Sequence, residues 1–266
     1  MSGFDKDWLA LREPADRRAR AEDLIDRLCV HMVATKPHRA LLDIGCGTGS
    51  TFRALSSFVP PDTTWHLLDY DPLLLAEAER RTCGKPTIRF QQHDLNDLES
   101  LPLDGVTIVT ASALFDLCSA DFCNRFIETI SQRGTGLYAA LNYDGVMHWT
   151  RPHRLDDQVV ADFNRHQRGD KGFGPALGPD ATQHLRLGLD WNGYIVRVAP
   201  SPWVLGPTEA RLQEELLRGM LPPLVEIGNL SPAQISDWLD FRLASIAAAD
   251  SSCVVGHTDL IALRRR

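Results

Sequence analysis

The chain has 266 residues, 28 Lys and Arg against 35 Asp and Glu, and a formal charge of −7, with 44% hydrophobic and 24% charged residues. That length suits one α/β domain with an elaboration and a sizeable core. The acidic balance argues against a broad phosphate-binding surface, so no nucleic-acid partner is expected.

No apolar run approaches the ~18 residues of a membrane span, and the charged N-terminus lacks the apolar centre of a signal peptide. A cytoplasmic protein with no membrane partner is therefore expected. The six cysteines, at 29, 46, 83, 118, 123 and 253, form no Cys-x-x-Cys pair and have no His at ligand spacing. They read as buried thiols of a reducing compartment, and no metal is expected. No internal repeat is present, and the terminal run 264–266 of three arginines reads as a solvated end.

Residues 5–34 read as two helical pieces broken near Pro14. In the second, Leu24, Ile25, Leu28, Cys29 and Met32 recur at helical spacing. The first, with Trp8, Leu9 and Leu11, is either a core-facing helix or a lid over a ligand site. Residues 39–44 then read as an apolar strand running into Gly45-Cys46-Gly47-Thr48-Gly49 and a helix over 50–58. Glycines on alternate positions bring bare backbone N–H groups to a ligand, and the helix start favours an anionic group there.

A dinucleotide fingerprint would need glycine at position 50; Ser50 stands there. The Gly-x-Gly-x-Gly turn after Asp43 instead resembles the first motif of class I S-adenosylmethionine-dependent methyltransferases. Residues 64–69 form a second strand ending in Asp69, about 20 positions beyond the glycines, where a carboxylate can accept from both ribose hydroxyls. Tyr70 follows, placed against an adenine face. A helix over 72–81 ends near Gly84, and a third strand at 87–90 leads to Asp94 and Leu95. The resemblance implies that Asp94 accepts from the adenine amino group and that the Leu95 backbone N–H reaches a ring nitrogen. The other reading of Asp94 is an Asx turn.

A fourth strand, 105–110, passes into Ala111, which the resemblance places beside the cofactor, and then Asp116. No Asn-Pro-Pro-Tyr or Asp-Pro-Pro-Tyr follows, so the amine-methylating relatives of nucleic-acid bases are disfavoured. A helix over 121–130 returns to a fifth strand at 136–142. Residues 143–190 exceed the generic fold and read as a substrate-specificity insertion, with a stripe of Leu155, Val159, Val160 and Phe163 and a glycine- and proline-rich loop at 170–179. Strand 194–198, helix 208–220, a capping box at Ser231–Gln234 opening a helix, and a terminal strand 253–263 close the chain.

The resemblance spans residues 39–263. It implies an α/β, Rossmann-like seven-stranded sheet, mostly parallel with the last strand antiparallel, with helices on both faces. The N-terminal helical segment would be 1–34 and the cofactor domain 35–266. It also implies S-adenosyl-L-methionine as cofactor, S-adenosyl-L-homocysteine as product, and methyl transfer to an O, N or C nucleophile of a small-molecule substrate. Gly45, Gly47 and Gly49 would hold the methionine moiety and Asp43 its ammonium group. His148, directly after the fifth strand, is the candidate base; Asp116, Tyr143, His153 and His166 are candidate substrate contacts. His257, on the terminal strand, reads as structural. Two other readings stay open: a non-catalytic S-adenosylmethionine-sensing or scaffold module, and a nicotinamide oxidoreductase, which Ser50 opposes. Nothing in the sequence decides between a monomer and a homodimer formed through the N-terminal helices.

Overall fold

The computed structural model describes residues 5–35, 38–82 and 87–264. Cys83, Gly84 and the last two arginines of the C-terminal run lie outside them. The chain opens with α1 (Lys6–Ala19) and α2 (Glu22–Ala34). It continues through β1 (Ala40–Ile44), α3 (Ser50–Leu55), β2 (Thr64–Asp69), α4 (Pro72–Thr82), β3 (Ile88–Gln92), β4 (Ile108–Ser112) and α5 (Ala120–Arg133). Then come β5 (Gly136–Trp149), α6 (Asp156–Gln167), α7 (Ala181–Trp191), β6 (Tyr194–Pro200) and β7 (Trp203–Leu205). The chain finishes with α8 (Ala210–Ile227), α9 (Pro232–Ile246) and β8 (Cys253–Arg264). Among the described residues no helix is long and apolar enough to cross a membrane.

The sheet runs in the order β3-β2-β1-β4-β5-β8-β6, with β1 to β5 parallel and β8 antiparallel to β5 and β6. This is the mostly parallel α/β sheet the sequence implies. Strand side chains alternate between faces. Leu42, Val109, Leu137 and Leu260 pack with α5 and α7 on one side, while Leu41, Trp65, Ile108 and Tyr138 pack with α2 and α3 on the other. Asp43, Asp69 and Ser112 thus arrive at one edge, where the parallel strands end and ligands bind in such sheets.

Four expectations need correcting. The helical break lies at Arg20–Ala21 rather than Pro14, which sits within α1 on its exposed side. A proline there removes only the hydrogen bond to the exposed Ala10 carbonyl. The break itself is pinned by the buried Asp259, whose Oδ2 accepts from the Ala21 N–H at 3.0 Å. The fourth strand begins at Ile108, because Gly105 turns the chain at φ +74°.

The fifth strand does not end at Asn142 but runs to Trp149. A bulge makes this continuation. Leu141 takes a left-handed φ of 58°, and its N–H donates to the Asp259 side chain, Oδ1 at 2.8 Å, rather than to a backbone carbonyl of a neighbouring strand. Beyond it, Tyr143–Trp149 pair with Cys253–His257. The overhanging ribbon also accepts β7, giving eight strands instead of seven.

Around that overhang a third core forms, apart from the two faces of the sheet. It joins Met147, Trp149, Trp203 and Val255 to α6, α8, α9 and the inner face of α1. The capping box that opens α9 is present, with the Gln234 N–H donating to Ser231 Oγ and Gln234 Oε1 accepting from the Ser231 N–H. Deep in this cap the Arg242 guanidinium lies 4.4 Å from the Trp149 ring centre and is hydrogen-bonded to Asp156.

Candidate functional site

Three glycines set the turn after β1, with φ of +60°, +53° and +81° at Gly45, Gly47 and Gly49. Their neighbours separate their tasks. A Cβ on Gly49 would meet Arg53 Nη1 at 3.3 Å and make ordinary contacts with Leu67 and Ala78, so what asks for glycine there is the left-handed φ of +81°. One on Gly47 would come within 3.3 Å of Leu9 of α1, in the space between turn and helix. That space is a cleft of about 290 Å3.

Asp69 holds the floor of this cleft. Its Oδ2 accepts from the Gly47 N–H at 2.7 Å and its Oδ1 from the Asp71 N–H at 3.0 Å. Burial pushes its pKa up, and the two N–H donors oppose that shift. Tyr70, half-exposed, Asp94 and the buried Leu95 also line the cleft. Asp94 does form an Asx turn: its Oδ1 accepts from both the backbone and the side-chain nitrogen of Asn96. This local use and exposure to the cleft coexist.

Asp43 and Ala111 lie behind the wall rather than on it, being 0% and 1% exposed. Asp43 accepts from Thr110 Oγ1 at 2.7 Å, and burial raises its pKa to about 7 despite the nearby Arg20. The wall itself is made by Ser112 and Ala113. Ser112 is fixed by Arg20 at 2.8 Å and Thr51 at 3.0 Å. Ala113 has φ +50°, a left-handed value that costs roughly 1–2 kcal/mol for a residue with a Cβ. Strain of this kind concentrates at functional sites.

The roof comes from two segments that the glycine motif does not announce. Leu9, Arg12 and Asp16 of α1 cover one side, and Lys171, Gly172 and Phe173 the other. Arg12 donates from Nε and Nη2 to Asp16, and Trp203 Nε1 donates to Asp16 Oδ1 at 2.9 Å, tying α1 to the cap. A sequence signal existed: Arg12, Asp16 and Arg20 recur every four residues, an unusual polar stripe on the buried face of a helix.

Sequence reasoning placed several polar residues at the cleft that lie elsewhere. His148 is an exposed residue within β5, opposite Val254, and not a loop residue at the sheet's end. His153 packs at a tilt against Phe241 in the cap, 4.9 Å between ring centres. Tyr143 donates to Asn164 Oδ1 at 2.8 Å and sits edge-on to His257. His257 is buried, and desolvation with the Arg12 charge depresses its pKa to about 3, leaving it neutral. Asp116 is buried one turn beyond Ala113, its pKa raised to about 6 by burial and opposed by Arg12. His166 does not reach the cleft itself; it touches Lys171, which does. Of the 143–190 segment, only residues 171–173 line the cleft. Residues 143–149 are strand, and α7 packs on the sheet through Leu185 and Leu189. Among the described residues no group of three or more His, Cys, Asp and Glu could hold a metal ion.

A family profile described as a methyltransferase domain matches residues 41–133, the glycine turn through α5. Trans-aconitate 2-methyltransferase of Deinococcus radiodurans is 24% identical over 77% of this chain and 79% of its own length. Malonyl-[acyl-carrier protein] O-methyltransferase of Halalkalibacterium halodurans is 32% identical over 35% of this chain and 33% of its own. In fold, the YcgJ protein of Bacillus subtilis matches with a TM-score of 0.52 at 15% identity, over 92% of this chain and all of that one. The cyclopropane synthase MmaA2 of Mycobacterium tuberculosis matches with a TM-score of 0.52 at 14% identity, over 97% and 94%.

Proposed function

We propose that this chain, which belongs to the class I S-adenosylmethionine-dependent methyltransferases, passes a methyl group to a small-molecule acceptor enclosed between the end of the sheet, α1 and the 171–173 loop. It is an enzyme that uses S-adenosylmethionine. The observation that carries the acceptor reading is the covered cleft: Leu9 stands 3.3 Å from where a Gly47 Cβ would be, and the Asp16 to Trp203 bond holds α1 there. A cleft roofed in part by α1 and the 171–173 loop suits a small molecule. Of the two relatives named above, one carries the small acid trans-aconitate in its name, which agrees with a small-molecule acceptor, and the other a malonyl group borne on acyl-carrier protein.

The residues present suit the cofactor. Gly45 and Gly47 leave room for it against bare backbone, Asp69 would hold the ribose hydroxyls, and Tyr70, Asp94 and Leu95 the adenine. Asp43 would act at one remove, through Thr110 and the strand ends, rather than by touching the ammonium group. When bound, the cofactor supplies a methyl group already activated on a sulfonium. What remains for the chain is alignment and exclusion of water, and well-oriented reactants gain ~7–11 kcal/mol. Leu9, Leu114, Leu117 and Phe173 line the cleft with the apolar surface that such exclusion needs. No base role falls to His148, which faces solvent.

Calorimetric titration with S-adenosylmethionine, S-adenosylhomocysteine and NADH tests the cofactor assignments. The first two should bind, and Asp69→Ala should weaken them about tenfold or more. Transfer of labelled methyl into a size-fractionated cell extract tests the acceptor. Label in the low-mass fraction is expected; label only on protein or nucleic acid would overturn the small-molecule reading.

A further inference from the structure

Two cations, Arg12 of α1 and Lys171 of the glycine-rich loop, line the cleft together with Asp16, Asp69 and Asp94. Asp69 and Asp94 are assigned to the cofactor, and Asp16 is bonded to Arg12 and Trp203. Arg12 uses Nε and Nη2 on Asp16 and lies 5.2 Å from the Trp203 ring centre, and among the described residues Nη1 makes no hydrogen bond.

Lys171 is aimed by a relay. Its Nζ donates to His166 Nδ1 at 3.2 Å, since an ammonium has only donors, and His166 Nε2 then carries the ring proton toward Glu226 Oε2 at 3.1 Å. The imidazole is only 18% exposed, whereas the Glu226 carboxylate at the far end of the relay is 74% exposed. The loop beside it is anchored. Asp170 Oδ1 accepts from the Gly172 and Gly174 N–H groups, and Phe173 packs on Phe122 at 4.8 Å between ring centres. An anchored loop that brings Lys171 to the lining of the cleft, its ammonium held by a histidine and through it a carboxylate, is a built contact rather than a chance surface charge.

We propose that Lys171, positioned by His166 and Glu226 and assisted by Arg12 across the cleft, binds the carboxylate of the acceptor, and that the acceptor is a small carboxylic acid. This rests on the methyltransferase reading above and names the acceptor's class within it. Chemistry agrees with charge. Among the described residues that line the cleft there is no histidine, and an acid brings a nucleophile that needs no base. A lone pair of a carboxylate oxygen forms the O–CH3 bond as the S–CH3 bond breaks, the electron pair of the broken bond stays on sulfur, and no proton is released. Transfer from a sulfonium to a carboxylate also cancels opposite charges in a site of low polarity, which favours the reaction once water is excluded.

The test is release of S-adenosylhomocysteine by the full chain with a panel of mono-, di- and tricarboxylates and the amide of each. The best acceptor should be an acid, with kcat/KM about tenfold or more above its amide. Lys171→Gln should raise the acceptor KM about tenfold, Lys171→Arg should restore most of it, and His166→Phe should raise it several-fold. The KM for S-adenosylmethionine should stay within about twofold in all three. An amide that equals its acid, an acceptor KM unmoved by Lys171→Gln, or no turnover of any acid by protein that binds S-adenosylhomocysteine would each overturn the proposal. Wild-type protein that does not bind S-adenosylhomocysteine would instead overturn the methyltransferase reading beneath it.

Discussion

Replacing Gly47 by alanine separates a backbone effect from a site effect, because the structure supplies its own control. Gly47 has φ +53°, and a methyl there would meet Leu9 Cδ1 at 3.3 Å. Gly134, the C-terminal cap of α5, has φ +67° and nothing within 4 Å of the same position. Both substitutions place an L side chain in the left-handed region, at a cost of roughly 1–2 kcal/mol, or about 2–8 °C in Tm for a chain of this length. The close contact at Gly47 is with the tip of a flexible side chain, so it adds little to that cost. The difference appears in binding, since the methyl enters the space between turn and helix. Gly47→Ala should weaken S-adenosylmethionine about tenfold or more, equivalent to about 1.4 kcal/mol, while Gly134→Ala should leave the Kd unchanged at a similar loss of Tm. Calorimetry and thermal melts of both variants make the comparison. Equal affinities in the two would refute the placement of the cofactor against Gly47.

Three further outcomes follow from buried charge and from location. Asp43, with its pKa raised from 3.8 to about 7, favours the protonated form in the folded state. Its stability is therefore whole below pH 4 and is lost as pH rises to about 7. Asp43→Asn should gain on the wild type over that window and level off above it, by no more than about 4 kcal/mol in urea unfolding; a gain that shrinks with rising pH would contradict the sign. Asp156→Ala leaves the Arg242 guanidinium buried and unpaired, at roughly 3–5 kcal/mol, whereas replacing the pair together by Leu and Met should cost less than the single change. His148→Ala should keep turnover within about twofold, since the side chain is exposed on β5; a large loss of kcat would restore it as a base.

Much of the sheet was legible because its strands obey local rules. Thr64–Asp69 falls on the expected residues, and the glycine turn marks β1 and α3 without ambiguity. The overhang of β5 was not legible, because its continuation depends on Asp259, 118 residues away, accepting from the Leu141 N–H. No pattern near Asn142 carries that information. The α1 side of the roof was legible only as one of two alternatives, because what ties α1 down is the bond from Trp203 to Asp16, 187 residues apart. His166 was read as a direct contact because sequence shows a histidine beside a flexible loop; only the fold shows that Lys171 stands between it and the cleft. Pro14 is tolerated inside α1 because the carbonyl it leaves without a donor belongs to the exposed Ala10.

The separate core around the overhanging strands has an evolutionary consequence. The residues proposed to hold the cofactor lie on turns fixed by the two sheet-face cores, whereas the helices proposed to aim Lys171, and the strand that ties down α1, belong to the third. Substitutions in α6, α8 or β7 can therefore reshape what is methylated while the glycine turn and Asp69 stay as they are. Selection acting on this chain would be expected to sample new acceptors by drift in the cap long before it disturbed the methyl donor, and laboratory libraries restricted to those elements should show the same asymmetry.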